Sequence, residues 1–186
     1  MKVIIKAVPV RKDCIEYLKN KLPDAIFCMD KKKCAMDTFL RSLEIAKDDP
    51  CIHMEEDIFI TKNFMKKASA VIRQKPMSVV QFFSMRKADL TIGSRWDRSF
   101  LMNQCFYAPP FYSRLMLEFS ALWIPKNIEE HPNGTDAMVR DFLKYRKERY
   151  WVHCPSLVDH REGKSVIDPR RSSKRQSFTF EDAEES

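Results

Sequence analysis

Apolar positions along the chain form short runs that alternate with stretches of helical spacing. Lys2 to Val10 is β-branched and apolar, closing around Pro9, and predicts a central first strand. Arg11-Lys12-Asp13 opens a helix with Ile15, Leu18 and Leu22 on one face, ended by Pro23. Ala25 to Met29 predicts a second strand, and Ala35 to Ala46, with Phe39, Leu40, Leu43 and Ala46 in phase, a second helix. Asp48-Asp49-Pro50 breaks that helix before a third apolar run begins at Cys51.

Further on, helices are expected over Asn63–Gln74, Tyr112–Trp123 and from Thr135, a good N-cap residue, to about Lys147. Strands are expected over Ser78–Ser84, Phe100–Ala108 and Tyr150–Cys154. Arg86–Ser99 and Pro125–Gly134 read as loops, and the chain from Pro155 as irregular. The opening β-α-β-α-β order predicts an α/β fold, a single Rossmann-like domain whose mostly parallel central sheet is flanked by helices. Ligands in such sheets sit beyond the carboxyl ends of the strands. Arg11, Asp30 and Glu55 to Asp57 should therefore converge.

The third run carries the most unusual feature. In Cys51-Ile52-His53-Met54-Glu55-Glu56-Asp57-Ile58-Phe59-Ile60, two apolar segments flank three consecutive acids. Adjacent carboxylates repel and are costly to desolvate, so a positive partner belongs there: basic side chains or a divalent metal. A solvated acidic turn is the plain alternative. His53, inside the apolar run, reads as a satisfied core histidine.

Composition narrows the class. The 186 residues, 44% hydrophobic and 32% charged, fit one soluble globular domain. No apolar run approaches the roughly 20 residues of a membrane span, so no stable membrane association is expected. The start, Met-Lys then Val-Ile-Ile interrupted by Lys6, lacks a signal-peptide pattern, and the expected compartment is the cytoplasm. The six cysteines form no Cys-x-x-Cys pair and read as reduced, partly buried thiols. The net charge of +7 gathers at Lys31-Lys32-Lys33 and at Arg170, Arg171, Lys174 and Arg175, and it permits a polyanionic partner. Residues 168–186 read as a charged tail, mobile or folded over a ligand.

Taken together, several pieces resemble nucleotide-sugar glycosyltransferases of the GT-A type, over roughly Val3 to Ile167. They are Val8-Pro9-Val10-Arg11 after the first strand, Asp30 after the second, Glu55-Glu56-Asp57 at the third and Thr135-Asp136 at a helix start. The last piece, Pro155-Ser156-Leu157-Val158-Asp159-His160-Arg161-Glu162-Gly163-Lys164-Ser165, is similar to the Pro-Ser-Leu-Val-x-His-x-Gly-x-x-Ser pattern of small bacterial and phage glycosyltransferases, with one extra residue before the glycine. Glu-Glu-Asp departs from the Glu-Asp-Asp or Asp-x-Asp usual in that family.

The resemblance implies a GT-A-like domain over residues 1–167 and a metal-dependent glycosyltransferase using a nucleotide-sugar donor, a UDP-sugar first. Asp57 and His160 are then the protein ligands of Mn²⁺ or Mg²⁺, which offsets the charge of the departing diphosphate. Val8, Arg11, Asp30, Arg41, Glu55, Glu56, Lys164 and Ser165 are the implied donor-binding residues. Asp136 is the implied catalytic base towards an acceptor hydroxyl, with helix-dipole stabilisation as its plain alternative. His131 is a weaker candidate base.

Small phage enzymes of this kind include some that glycosylate hydroxymethylated pyrimidines in DNA, which would place this chain in a host cytoplasm if a phage encodes it. Arg95 and Trp96, with Asp136, are the acceptor-binding candidates for DNA. They belong to a basic and aromatic series with Arg86, Arg98, Phe106, Tyr107, Phe111 and Tyr112, most of whose aromatics would serve equally as core. A saccharide acceptor, or a non-catalytic nucleic-acid-binding protein, are the rival readings. With only Gly93, Gly134 and Gly163, the chain lacks a Gly-rich phosphate loop. The sugar, the base of the nucleotide, the stereochemistry and the oligomeric state are left open.

Overall fold

The computed structural model describes residues 1–163, 166 and 175–181. In chain order the elements are β1 (Lys2–Ala7), α1 (Lys12–Lys21), β2 (Ile26–Met29), α2 (Ala35–Ala46), β3 (Cys51–Glu55), β4 (Ile58–Ile60), α3 (Phe64–Gln74), β5 (Val80–Gln81), α4 (Asp89–Ile92), β6 (Arg95–Asp97), β7 (Cys105–Ala108), α5 (Tyr112–Asn127), α6 (Thr135–Tyr145), β8 (Tyr150–Val152) and β9 (Val158–His160).

Seven strands form one sheet in the order β2-β1-β3-β7-β5-β8-β6, and β4 pairs with β9 in a second, two-stranded sheet. The chain is thus mixed α/β. β1 is parallel to β2 and β3, and β5 to β8, whereas β7 is antiparallel to β3 and β5, and β6 to β8. The large sheet is therefore mixed rather than mostly parallel by pairing, although all its strands except β6 and β7 share one direction. No helix among the described residues is long and apolar enough to cross a membrane.

Strand alternation divides the core between the two sheet faces. Ile52 and Met54 of β3 and Tyr107 of β7 pack in one cluster with Leu18 of α1 and Phe64 and Ala68 of α3. Phe106 of β7 packs on the other face with Phe39 and Leu43 of α2, Met116 and Trp123 of α5, and Met138 and Phe142 of α6. His53 lies on that second face, stacked on Phe106 at 5.2 Å between ring centroids. It is fully buried, with Nδ1 3.3 Å from Ser42 Oγ and Nε2 3.1 Å from Ser113 Oγ. Ser42 donates its own proton to the Phe39 carbonyl, so Nδ1 carries the imidazole proton and Nε2 accepts from Ser113.

Several boundaries depart from the sequence expectation. The apolar run from Cys51 to Ile60 is two strands in two sheets, because the chain turns at Glu56-Asp57. Residues after Pro155 are not wholly irregular, since β9 pairs antiparallel with β4. The expected loop Arg86–Ser99 holds α4 and β6, stabilised by an Arg95–Asp89 ion pair and by Trp96 edge-on to Trp151, 5.3 Å away on β8. The expected strand Phe100–Ala108 begins only at Cys105. Before it, Met102 has a positive φ of 67°, and the Gln81 amide donates to the carbonyls of Leu101 and Met102. Of Ser78–Ser84, only Val80-Gln81 is laddered. The fifth helix runs past Trp123 through Pro125 to Asn127. Thr135 is the first helical residue rather than the cap, and its hydroxyl accepts from Asn103 Nδ2 at 2.7 Å.

Candidate functional site

The carboxyl ends of β1, β2 and β3 form one edge of the sheet, and register explains what gathers there. Lys6 pairs with Glu55, and the Asp30 amide donates to the Ala7 carbonyl at 2.7 Å. A tight turn, closed by Arg11 N–H to the Val8 carbonyl at 3.1 Å, carries Arg11 over the same edge. The pocket they form is lined by Lys6, Ala7, Val8, Arg11, Asp30, Ala35, Thr38, Glu55, Glu56, Asp57, Asn133, Thr135, Val166 and Arg175. Val8, Arg11, Asp30, Glu55, Glu56 and Asp57, singled out in sequence, are thus brought together. The free space between these side chains is about 80 Å³. A ligand cleft typically offers some 300–1,000 Å³, so a ligand of that size would enter only as side chains of the pocket give way.

The acidic triplet has the positive partner its chemistry requires. Arg11 Nη1 donates to Asp57 Oδ2 and lies 3.3 Å from Glu56 Oε1. Lys6 Nζ lies 3.7 Å from Glu55 Oε1 and 5.1 Å from the Phe39 ring centroid. His160 reaches the triplet through β9. Ile58 pairs with His160, Arg161 N–H donates to the Asp57 carbonyl at 2.8 Å, and His160 Nε2 comes to 3.2 Å from Asp57 Oδ2. His160 is almost wholly buried behind Asp57 rather than lining the pocket.

These neighbours set the protonation of the triplet. Burial by itself would raise the Asp57 carboxyl, but His160 and Arg11 outweigh it and hold Asp57 below the ordinary carboxylate range. Glu56 goes the other way. Burial, and then the charge of Asp57 beside it, push it up to about 8 against the pull of Arg11. The triplet therefore pairs a firmly ionised acid with one that is largely protonated at neutral pH.

The residues present fit a divalent cation. Among the described residues, Asp57 Oδ1 and Asp30 Oδ2 are buried without a hydrogen-bond partner, and neither ring nitrogen of His160 makes a hydrogen bond of good geometry. The 3.2 Å between His160 Nε2 and Asp57 Oδ2 is close to the spacing of adjacent ligands in one octahedral shell, about 3 Å for metal–ligand distances near 2.1 Å. Among the described residues, no group of three or more His, Cys, Asp or Glu side chains is arranged as a metal site. A cation here would complete its shell with ligand and solvent oxygens, in competition with Arg11 for Asp57.

Other predicted residues lie elsewhere. Arg41 does not line the pocket: its guanidinium donates to the Met29 carbonyl at 2.7 Å and to Asp37 at 3.1 Å, tying α2 to the end of β2. Asp136 follows the lining residue Thr135, with Oδ2 3.5 Å from the Met102 N–H. Arg95 is held between Asp89 and Asp97. Trp96 is 42% exposed and borders a separate cleft with Ser78 and Arg149, which precede β5 and β8. That cleft is at the strand-start edge, away from the pocket. Phe106 and Tyr107 are core, whereas Phe111 is exposed. Lys164 and Ser165 lie outside the described residues.

Sequence reasoning missed Lys6, Thr38, Asn133, Thr135 and Arg175 as pocket residues. Lys6 did carry a signal, a cation interrupting the apolar run that follows Lys2. Arg175 carried none, being one of several basic residues in a charged tail. No protein-family model matches the chain, and no curated protein matches it.

Proposed function

We propose that this protein is a metal-dependent glycosyltransferase with a GT-A-like domain, moving a sugar from a nucleotide-sugar donor, a UDP-sugar first, to an acceptor hydroxyl. The single observation that carries the reading is the meeting of Asp57 and His160, 103 residues apart, beside unpartnered carboxylate oxygens at the carboxyl ends of β1–β3. A bound Mn²⁺ or Mg²⁺ supplies electrostatic stabilisation of the leaving diphosphate. Asp57 and His160 would hold it. Asp30, with Oδ2 unpartnered among the described residues, and Glu56 would contact the ribose hydroxyls. Arg11 leaves Asp57 for the nucleotide.

In the transfer step the bond between the anomeric carbon and the diphosphate oxygen breaks, and the nucleoside diphosphate leaves with the electron pair. The acceptor oxygen forms the new bond to that carbon and gives its proton to the carboxylate of Asp136. The proposed acceptor is a hydroxymethylated pyrimidine in DNA. Its support is no longer Arg95, held between Asp89 and Asp97, or Trp96, which borders another cleft, but Lys31 and Lys33, exposed residues that follow the pocket residue Asp30 in the chain.

The test is a thermal-shift screen of UDP-, GDP- and ADP-sugars, each with and without Mn²⁺. A ligand at 100 times its Kd stabilises the fold by about 2.7 kcal/mol, or roughly 5–10 °C for a domain of this size. One nucleotide giving a Mn²⁺-dependent shift, absent in Asp57→Ala, is the expected result. No shift with any donor overturns the reading.

A further inference from the structure

Among the described residues, three cations line the pocket: Lys6, Arg11 and Arg175. Lys6 faces Glu55, and Arg11 faces Glu56 and Asp57. Arg175 differs from both. The residue is only 7% exposed, and among the described residues its buried Nε has no hydrogen-bond partner and its guanidinium no ion pair. A guanidinium taken out of water without an anion is costly, and its five donors are arranged to grip two oxygens at once. The carboxylates among the described pocket residues face Lys6 and Arg11 instead.

The backbone that delivers Arg175 is tied down. Ser177 N–H donates to Asp159 Oδ1 at 2.6 Å and Ser177 Oγ to Ser156 Oγ at 2.8 Å, while Ser156 N–H donates to Thr179 Oγ1 at 3.1 Å. Asp159 belongs to β9, the strand that presents His160 to Asp57. One three-residue strand therefore positions both a proposed metal ligand and the segment bearing the unpaired guanidinium.

We propose that Arg175 is the phosphate-binding residue of this pocket, receiving the diphosphate of a nucleotide whose metal is held by Asp57 and His160. The proposal rests on the nucleotide-donor reading above. It gives the described part of the C-terminal segment a function: to place one cation against the leaving group, where negative charge develops.

Calorimetric titration of the full chain with UDP, inorganic pyrophosphate and uridine, with and without Mn²⁺, tests this in the wild type and in Arg175→Ala, Arg175→Gln and Arg175→Lys. UDP and pyrophosphate should bind roughly 10- to 100-fold more weakly to the Ala and Gln variants, with Lys between, while uridine binds all four proteins equally. Thermal melts of ligand-free Arg175→Ala and Arg175→Gln should match or exceed the wild type, since both remove the buried charge, whereas Arg175→Lys keeps it. UDP binding undiminished in Arg175→Ala overturns this inference and leaves the donor reading standing. Arg175-dependent binding of pyrophosphate without any nucleotide-sugar binding supports the anion site and overturns the donor reading. A wild type that binds neither UDP nor pyrophosphate overturns both.

Discussion

His160 Nε2 lies 3.2 Å from Asp57 Oδ2, and the contact depends on a strand of three residues. The β4–β9 pairing carries the segment after Pro155 back to the acidic triplet, and Arg161 N–H extends it by donating to the Asp57 carbonyl at 2.8 Å. The same carboxylate oxygen accepts from Arg11, so Asp57 is approached by a cation from the pocket side and an imidazole from behind. Two positive or polarisable neighbours at one oxygen keep the acid ionised despite its burial. An ionised, partly unpartnered, buried carboxylate is what a divalent cation requires.

Asp57→Asn retains the shape of that residue and removes its charge. The Mn²⁺-dependent stabilisation by a nucleotide sugar should vanish, and transfer should fall about 100-fold or more. His160→Ala should weaken Mn²⁺ at least 10- to 100-fold, the range seen when metal-orienting partners are lost. Mn²⁺ titration followed by the signal of the free ion measures both. Unchanged Mn²⁺ affinity in either variant contradicts the ligand assignment.

Arg11 and a divalent cation compete for Asp57. Arg11→Gln should therefore bind Mn²⁺ about 10-fold more tightly in the absence of nucleotide, equivalent to about 1.4 kcal/mol. The same variant should melt lower when metal-free, because Asp57 then keeps only His160, and it should bind nucleotide more weakly. Opposite movement of the metal and nucleotide affinities identifies Arg11 as a cation that changes partner on binding. Loss of both would make it purely structural.

His53 supplies a pH signature far from the pocket. Burial, and then the charge of Lys6, lower it to about 3 from an ordinary value near 6.5. The folded state holds this imidazole neutral while the unfolded chain protonates it below about pH 6.5. The unfolded state therefore binds the extra proton, and stability falls as pH drops from about 6.5 towards 3, by up to about 1.4 kcal/mol per pH unit from this group. NMR of the ring should show Nδ1 protonated and no titration of His53 between pH 8 and 5. A His53 that titrates near 6.5 would contradict the Ser42–His53–Ser113 arrangement.

The first half of the fold was legible because its periodicities are clean. β1, α1, β2 and α2 are each one run with one period, and the rule that ligands collect at strand ends then puts Arg11, Asp30 and Glu55–Asp57 together. The second half obeys weaker signals. Val158-Asp159-His160 is too short and too polar to read as a strand, yet β4 gives it a partner. β6 exists because β8 pairs with it and Trp151 packs on Trp96 from 55 residues away, a contact that no local pattern encodes. In the same way Arg41, on a helix that points at the site, is drawn away by the Met29 carbonyl. Arg175 could not be told from its basic neighbours until its burial was known.

Salt dependence separates the two acceptor classes, and the fold now says which lysines should govern it. Lys31 and Lys33 are exposed beside Asp30, whereas Lys32 pairs with Asp37 at 2.8 Å. Each phosphate neutralised on duplex DNA contributes about −0.9 to the slope of log affinity against log salt. Two or three such contacts would raise the apparent KM for DNA roughly 12- to 40-fold between 50 and 200 mM salt. Lys31→Glu with Lys33→Glu should flatten that slope by about two phosphates while leaving nucleotide binding unchanged, and Arg95→Ala should leave it intact because Asp89 and Asp97 already hold that guanidinium. A neutral saccharide acceptor predicts a KM that moves less than about 2-fold over the same range, since no counterions are released from it. Steady-state transfer assays across salt therefore decide the acceptor. A flat profile in the wild type would remove DNA from the proposal without touching the donor site.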